Sequence, residues 1–136
     1  MRSLDGTSHV SLSVTDMDRA RWFWTTVMGF EVGIEAPGVT VCVHRGSRIV
    51  VGFRDHAGSV TGSFDETRVG MDHIALAVSS VAGLEQWAAW LDQHGVDQSE
   101  IVQSDLGHHL NLRAPDGIAV ELFVLGDDVA KALGLG

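Results

Sequence analysis

A short apolar pattern headed by histidine occurs twice in this chain, and that duplication limits the possible folds more than any other feature. Ser8-His9-Val10-Ser11-Leu12-Ser13-Val14 and Asp72-His73-Ile74-Ala75-Leu76-Ala77-Val78 share the layout His-Val/Ile-x-Leu-x-Val, and the two histidines stand 64 residues apart, about half of the 136-residue chain. A repeat of that length implies two similar half-modules, each burying its own hydrophobic face. Side chains alternate faces along a strand, so Val10, Leu12 and Val14 fall on one side and His9, Ser11 and Ser13 on the other. Ile74, Leu76 and Val78 oppose His73, Ala75 and Ala77 in the same way. The first face is apolar enough to pack under a helix. The second is small or polar apart from its histidine, as the wall of a cavity would be.

Each copy continues with the same elements. Thr15-Asp16 offers an N-cap for a helix running through Met28 and stopped by Gly29, with Ala20, Phe23, Trp24 and Val27 forming one apolar stripe at i, i+3, i+4 and i+7. Trp22 lies off that stripe. Strands are expected at Phe30–Ile34, Val39–His44 and Arg48–Arg54, separated by the turn Pro37-Gly38 and by Arg45-Gly46-Ser47. From Asp55 to Arg68 the composition turns to Gly, Ser, Asp and Thr without periodicity, which marks a connection.

The second copy repeats the plan with a Ser79-Ser80 cap and a helix to His94 ended by Gly95. Its stripe is Leu84, Trp87, Ala88 and Leu91, and Trp90 lies off it. A weak strand near Glu100–Gln103, a strand at His109–Arg113, the turn Ala114-Pro115-Asp116-Gly117 and a strand Ile118–Val124 follow, and the tail from Asp127 either forms a short helix or frays. The element order gives an α+β fold of two βαβββ modules, and the family resemblance set out below implies that they form a cupped mixed sheet with helices on the outer face. Module one spans about residues 5–56, a connection 57–69, module two about 70–125 and a tail 126–136, all within one domain.

With 45% hydrophobic and 20% charged residues, the chain can build one sizeable core. A net charge of −9 disfavours nucleic acid and offers an anionic membrane no basic face. Cys42 is the lone cysteine, so no internal disulfide forms, and a cytoplasmic location is expected. No stretch approaches the roughly 18 apolar residues that span a bilayer.

Glu121 is an isolated carboxylate inside Ile118-Ala119-Val120-Glu121-Leu122-Phe123, on the side of Ala119 and Phe123. Either that face is solvated or the charge has a partner. Two histidines and a carboxylate on separate strands are the ingredients of a facial metal triad, with open positions for other ligands. His109, Asn111 and Arg113 share a face of their strand, which is simply exposed or, by the analogy with the family set out below, looks into the cup. His56 follows Arg54 at the rim, as a base supporting the site or as a loop histidine. The dinucleotide fingerprint, the phosphate-binding loop and the Gly-x-Ser-x-Gly elbow are absent. No catalytic nucleophile is assigned.

The duplicated βαβββ plan, with His9 and His73 opening equivalent strands and Pro115-Asp116-Gly117-x-x-x-Glu121 closing the chain, resembles the vicinal oxygen chelate superfamily, also called the glyoxalase/bleomycin resistance/dioxygenase superfamily, over roughly residues 5–125. The resemblance implies a metal site of His9, His73 and Glu121 holding one divalent ion (Fe, Mn, Zn, Co or Ni), with His109, Asn111, Arg113 and His56 as substrate-binding candidates. Matching Arg48–Phe53 to Gly117–Leu122 sets Gly52 opposite Glu121, where glyoxalase I enzymes and related epimerases carry a further ligand. Glycine there points toward the three-ligand branches. The expected function is a metal-dependent enzyme, dioxygenase-like or lyase-like, acting on a small oxygen-chelating organic substrate. The alternative is a non-catalytic small-molecule (antibiotic) binding protein of the same fold. The resemblance also implies a homodimer.

Overall fold

In the computed structural model, which describes residues 2–135, the chain divides into two compact units, Met1–Gly62 and Ser63–Gly136. The division falls inside the stretch of Gly, Ser, Asp and Thr that separates the repeats.

In the first unit β1 (Val10–Ser13) is followed by α1 (Met17–Trp22), β2 (Glu31–Ala36), β3 (Val39–His44) and β4 (Ile49–Arg54), in the sheet order β1-β4-β3-β2. Alternation decides which face is covered. Leu12 pairs with Phe53 and Val51 with Cys42, all buried, and Ala20, Phe23, Trp24 and Val27 of the helical segment are equally buried. Ser11, Ser13, Val41 and Gly52 belong to the opposite, open face. β1 runs parallel to β4 and the other neighbours are antiparallel, so the sheet is mixed.

The helix begins as its sequence requires, with the Asp16 carboxylate accepting from Arg19 N at 3.1 Å. It does not stay α-helical to Met28. Phe23–Val27 widens into a π-helical turn in which Met28 N donates to Phe23 O at 2.9 Å. The extra residue in the turn lets Val27 and Met28 both reach the core, where Trp24 meets Phe23 and Phe30 edge-on at 5.3 Å. Phe30 is therefore a core residue rather than a strand opener, and β2 starts one residue later and runs to Ala36.

The second unit repeats the topology with β5 (Ile74–Ala77), α2 (Val81–Gln93), β6 (Val102–Ser104), β7 (Gly107–Arg113) and β8 (Ala119–Leu125) in the order β5-β8-β7-β6, closed by a short helix α3 (Asp127–Ala132). Ser80 caps α2 by accepting from Gly83 N at 3.1 Å. Leu84 and Leu91 of its stripe are fully buried against Leu110, Leu112, Val120 and Leu122, while Trp87 and Ala88 are half-buried. Ala75, Ala77, Ala119, Glu121, Phe123, His109, Asn111 and Arg113 form the open face. The expected strand near Glu100–Gln103 is displaced to Val102–Ser104. Residues 97–99 instead follow the edge of β7, Ser99 N donating to Asn111 O and the Ser99 hydroxyl accepting from Asn111 N at 3.0 Å. Each module is thus βαβββ and the fold is α+β, with the helix on the core face of its own sheet. No helix among the described residues is long and apolar enough to cross a membrane.

Candidate metal and ligand site

The sheet registers align the two repeats residue for residue. Ser11 pairs with Gly52 across β1 and β4, and Ala75 pairs with Glu121 across β5 and β8, with His9 and His73 two residues before the first member of each pair. Gly52 thus holds in the first sheet the position that Glu121 holds in the second.

In the second unit this position lies within reach of the histidine. His73 Nε2 is 3.3 Å from Glu121 Oε2, and on the other side of the ring Nδ1 is 2.7 Å from Asp72 Oδ1. The result is a carboxylate–imidazole–carboxylate chain in which Glu121 is the shielded end, its side chain 18% exposed against 73% for Asp72. Glu121 is therefore not a solvated edge carboxylate. Two ligands on adjacent positions of one ion, each about 2.0–2.2 Å from it, stand about 3.0–3.4 Å apart, so the Nε2–Oε2 separation suits a shared divalent cation. The donor set, one imidazole and one carboxylate, suits Fe, Mn, Zn, Co or Ni.

His9 belongs to the first unit, with Nδ1 3.0 Å from Ser8 Oγ. Among the described residues, no three or more His, Cys, Asp or Glu side chains converge within either unit on one point that would hold an ion. Among the described residues the second unit supplies the pair His73 and Glu121, and the first supplies His9.

The substrate-binding candidates fall in different places. Asn111 is exposed and sits directly across from Glu121 on the open face. His109 pairs with Phe123 and its ring stacks on it, centroids 5.4 Å apart and 6° from parallel, with its Nδ1 buried and unpaired. Arg113 is engaged: its guanidinium donates to Gly117 O and to Glu66 Oε1, both at 3.0 Å, and pins the connecting segment against the β7–β8 turn. That guanidinium holds the Glu66 carboxyl below the usual carboxylate range. A shallow groove of about 310 Å³ runs along the β7 edge, lined by Asp97, Gln98, Ser99, Asn111, Leu112 and Arg113. His56 lies in the first unit, where its Nε2 is 3.2 Å from Ser13 Oγ on the open face. Its backbone and that of Ala57 are left-handed, at φ 50° and 57°, held by the Asp55 carboxylate accepting from Ala57 N and the Ser59 hydroxyl donating to His56 O.

Sequence reasoning assigned no role to Asp72, Ser8, Ser13 or Glu66. The first two carried a signal, since each directly precedes a repeat histidine. Glu66 lies 47 residues from Arg113 in a segment without periodicity, and nothing local pairs them.

The sequence profile of the Glyoxalase/Bleomycin resistance protein/Dioxygenase superfamily matches residues 6–122, most of the chain. The chain belongs to this superfamily. Its fold is similar to a glyoxylase/bleomycin resistance protein/dioxygenase domain from Frankia sp. EAN1pec, with TM-score 0.83, 28% identity, and 96% of this chain and 99% of that one covered. More distant likenesses include a lactoylglutathione lyase from Agrobacterium tumefaciens (TM-score 0.73, 18% identity, 90% and 96% covered). TnmS3, an antibiotic binding protein from Streptomyces sp. CB03234, is similar at TM-score 0.71 and 17% identity, with 93% and 100% covered. Comparison with curated proteins finds no match. The superfamily assignment accounts for the duplicated plan.

Proposed function

We propose that this superfamily member is a divalent-metal-dependent enzyme acting on a small organic molecule that chelates through neighbouring oxygens, by dioxygenase-like or lyase-like chemistry. The observation that carries this reading is the Asp72–His73–Glu121 chain on the open face of the second sheet. In this reading His73 Nε2 and the Glu121 carboxylate hold the ion, and His9 supplies the third ligand from the same chain or from a second copy. Bound there, a divalent ion acts as a Lewis acid toward a substrate oxygen. Ala75, Ala77 and Ala119 carry no bulk above the sheet and leave room for the substrate beside Glu121. Asn111, across from Glu121, offers both a donor and an acceptor to a substrate oxygen. The stacked His109–Phe123 pair forms a flat wall two residues further along the same strands. With Arg113 tied to Glu66 and Gly117, Asn111 and His109 carry more of substrate recognition than Arg113 does.

Sequestration of a small molecule without catalysis is the second reading, and the net charge of −9 supports it for a cationic ligand. Metal analysis of tag-free protein separates the two. About one divalent ion per chain is expected, lost on His73→Ala, because the remaining ligands hold an ion poorly. Equal metal content in wild type and His73→Ala would refute the metal site and leave the binding reading.

A further inference from the structure

In both units the residue before the repeat histidine touches its Nδ1, yet the two contacts differ in chemistry. Asp72 Oδ1 lies 2.7 Å from His73 Nδ1, whereas Ser8 Oγ lies 3.0 Å from His9 Nδ1. An ionised carboxylate only accepts, so the proton in the first contact sits on His73 Nδ1. The ring is thereby turned with Nε2 toward Glu121, 3.3 Å away. A hydroxyl both donates and accepts, so Ser8 imposes no such choice on His9.

We infer that Asp72 is a positioning residue that commits His73 to coordinate through Nε2 and makes it a stronger donor than His9. This rests on the proposed metal reading. A carboxylate bonded to the far nitrogen fixes ring orientation and raises the basicity of the ligating nitrogen, and loss of such a partner typically lowers metal affinity about 10–100-fold. Asp72 is 73% exposed, and solvent screening places the effect at the lower end, about tenfold. Water replaces a lost serine hydroxyl more readily, so Ser8→Ala costs about threefold or less.

The same geometry explains why the residue before the histidine serves as the partner. His73 and Asp72 both precede β5, where the chain has not yet entered the ladder, and Gly70 at φ 145° gives the approach an extended, left-handed conformation. Outside the ladder strict alternation does not bind Asp72, and its carboxylate meets the His73 ring.

The test uses tag-free, chelator-stripped full-length protein titrated with Zn²⁺ against a chromophoric chelator, with a parallel Cu²⁺-loaded sample read by electron spin echo envelope modulation. The echo signal reports the remote, non-coordinating imidazole nitrogen and responds to its hydrogen bond. Asp72→Ala should lower Zn²⁺ affinity about tenfold and shift the remote-nitrogen coupling, Asp72→Asn should fall between it and wild type, and Ser8→Ala should change affinity by threefold at most. Wild-type affinity in Asp72→Ala, while His73→Ala loses the ion, overturns the inference and leaves the metal site standing. Reduced affinity with an unchanged remote-nitrogen signal overturns it too, because the effect would then not act through Nδ1. Wild-type affinity in His73→Ala removes the metal reading itself, and the inference with it.

Discussion

Replacing Gly52 separates two reasons for a glycine in the middle of β4. One is crowding, with a neighbour leaving no room for a side chain. The other is an emptied ligand position, since Gly52 stands where the second sheet carries Glu121. The surroundings argue against the first. A Cβ built on Gly52 would meet Thr40 O at 3.6 Å, Val41 Cγ2 at 3.7 Å and Ser11 Oγ at 3.9 Å, all ordinary contacts, and the backbone there is not left-handed. Alanine should therefore fit and remove the entropic cost of a strand glycine, a gain of about 0.5–1 kcal/mol. For a chain of this size that raises Tm by about 1–4 °C.

Gly52→Glu places a carboxylate at the same point, beside a serine hydroxyl and a valine methyl in a buried part of the sheet. Without a cation the poorly solvated charge costs on the order of 1–3 kcal/mol, which offsets the alanine-like gain and lowers Tm in chelator. If the position belongs to the ligand set, adding a divalent ion restores the stability, by about 2.7 kcal/mol at a hundredfold excess over Kd. Thermal melts of wild type, Gly52→Ala and Gly52→Glu, each in chelator and in Zn²⁺, read all three effects. A lower Tm for Gly52→Ala would refute the geometric argument. A folded Gly52→Glu protein whose Tm rises with metal no more than that of wild type would place Gly52 outside any ligand set.

Two further outcomes are expected. Cys42 is fully buried in β3 and burial pushes its thiol up, so iodoacetamide at pH 7–8 should leave it unmodified in the native protein and label it fully in denaturant; labelling at similar rates in both would contradict the packing of β3. The chain should form a homodimer at micromolar concentration, because Trp22 and Trp90 remain 44% and 41% exposed and the edge strand β2 presents Val32 and Ile34 to solvent; a monomer mass throughout in sedimentation equilibrium would refute it.

What the sequence made legible was what repeats. The 64-residue spacing of His9 and His73 led to two sheets of identical order, and the stripes Ala20-Phe23-Trp24-Val27 and Leu84-Trp87-Ala88-Leu91 led to the helix that covers each. Matching the repeats also located Gly52 against Glu121, which the sheet registers reproduce. The π-helical turn was hidden because it answers to tertiary packing: the apolar spacing of Ala20, Phe23, Trp24 and Val27 fits an ordinary helix, and the wider turn seats both Val27 and Met28 in the core. The split at the β7 edge was hidden for a similar reason, since a serine side chain there stands in for a backbone partner. The pairing of Arg113 with Glu66 depends on how residues 63–68 return to the β7–β8 turn, a path no period encodes.

The two repeats differ little where they face their helices and much where they do not. Leu12, Val51 and Phe53 answer to Leu76, Val120 and Leu122, apolar for apolar and buried in both units. On the open face the counterparts are Ser8 and Asp72, Ser11 and Ala75, and Gly52 and Glu121. Emptying a buried position costs about 2–5 kcal/mol, a large part of a domain's whole stability, while an exposed open-face substitution usually costs less than about 0.5 kcal/mol. The core face is therefore held to one solution by folding, and the open face is left to be decided by what it binds. Two copies of one backbone can then hold different chemistry at the same register position. In this chain the carboxylate partner of the histidine and the carboxylate beside it both fall on the second copy, while the first has Ser8 beside His9 and Gly52 at the matching register position, so under the proposed metal reading the second sheet carries the stronger donors.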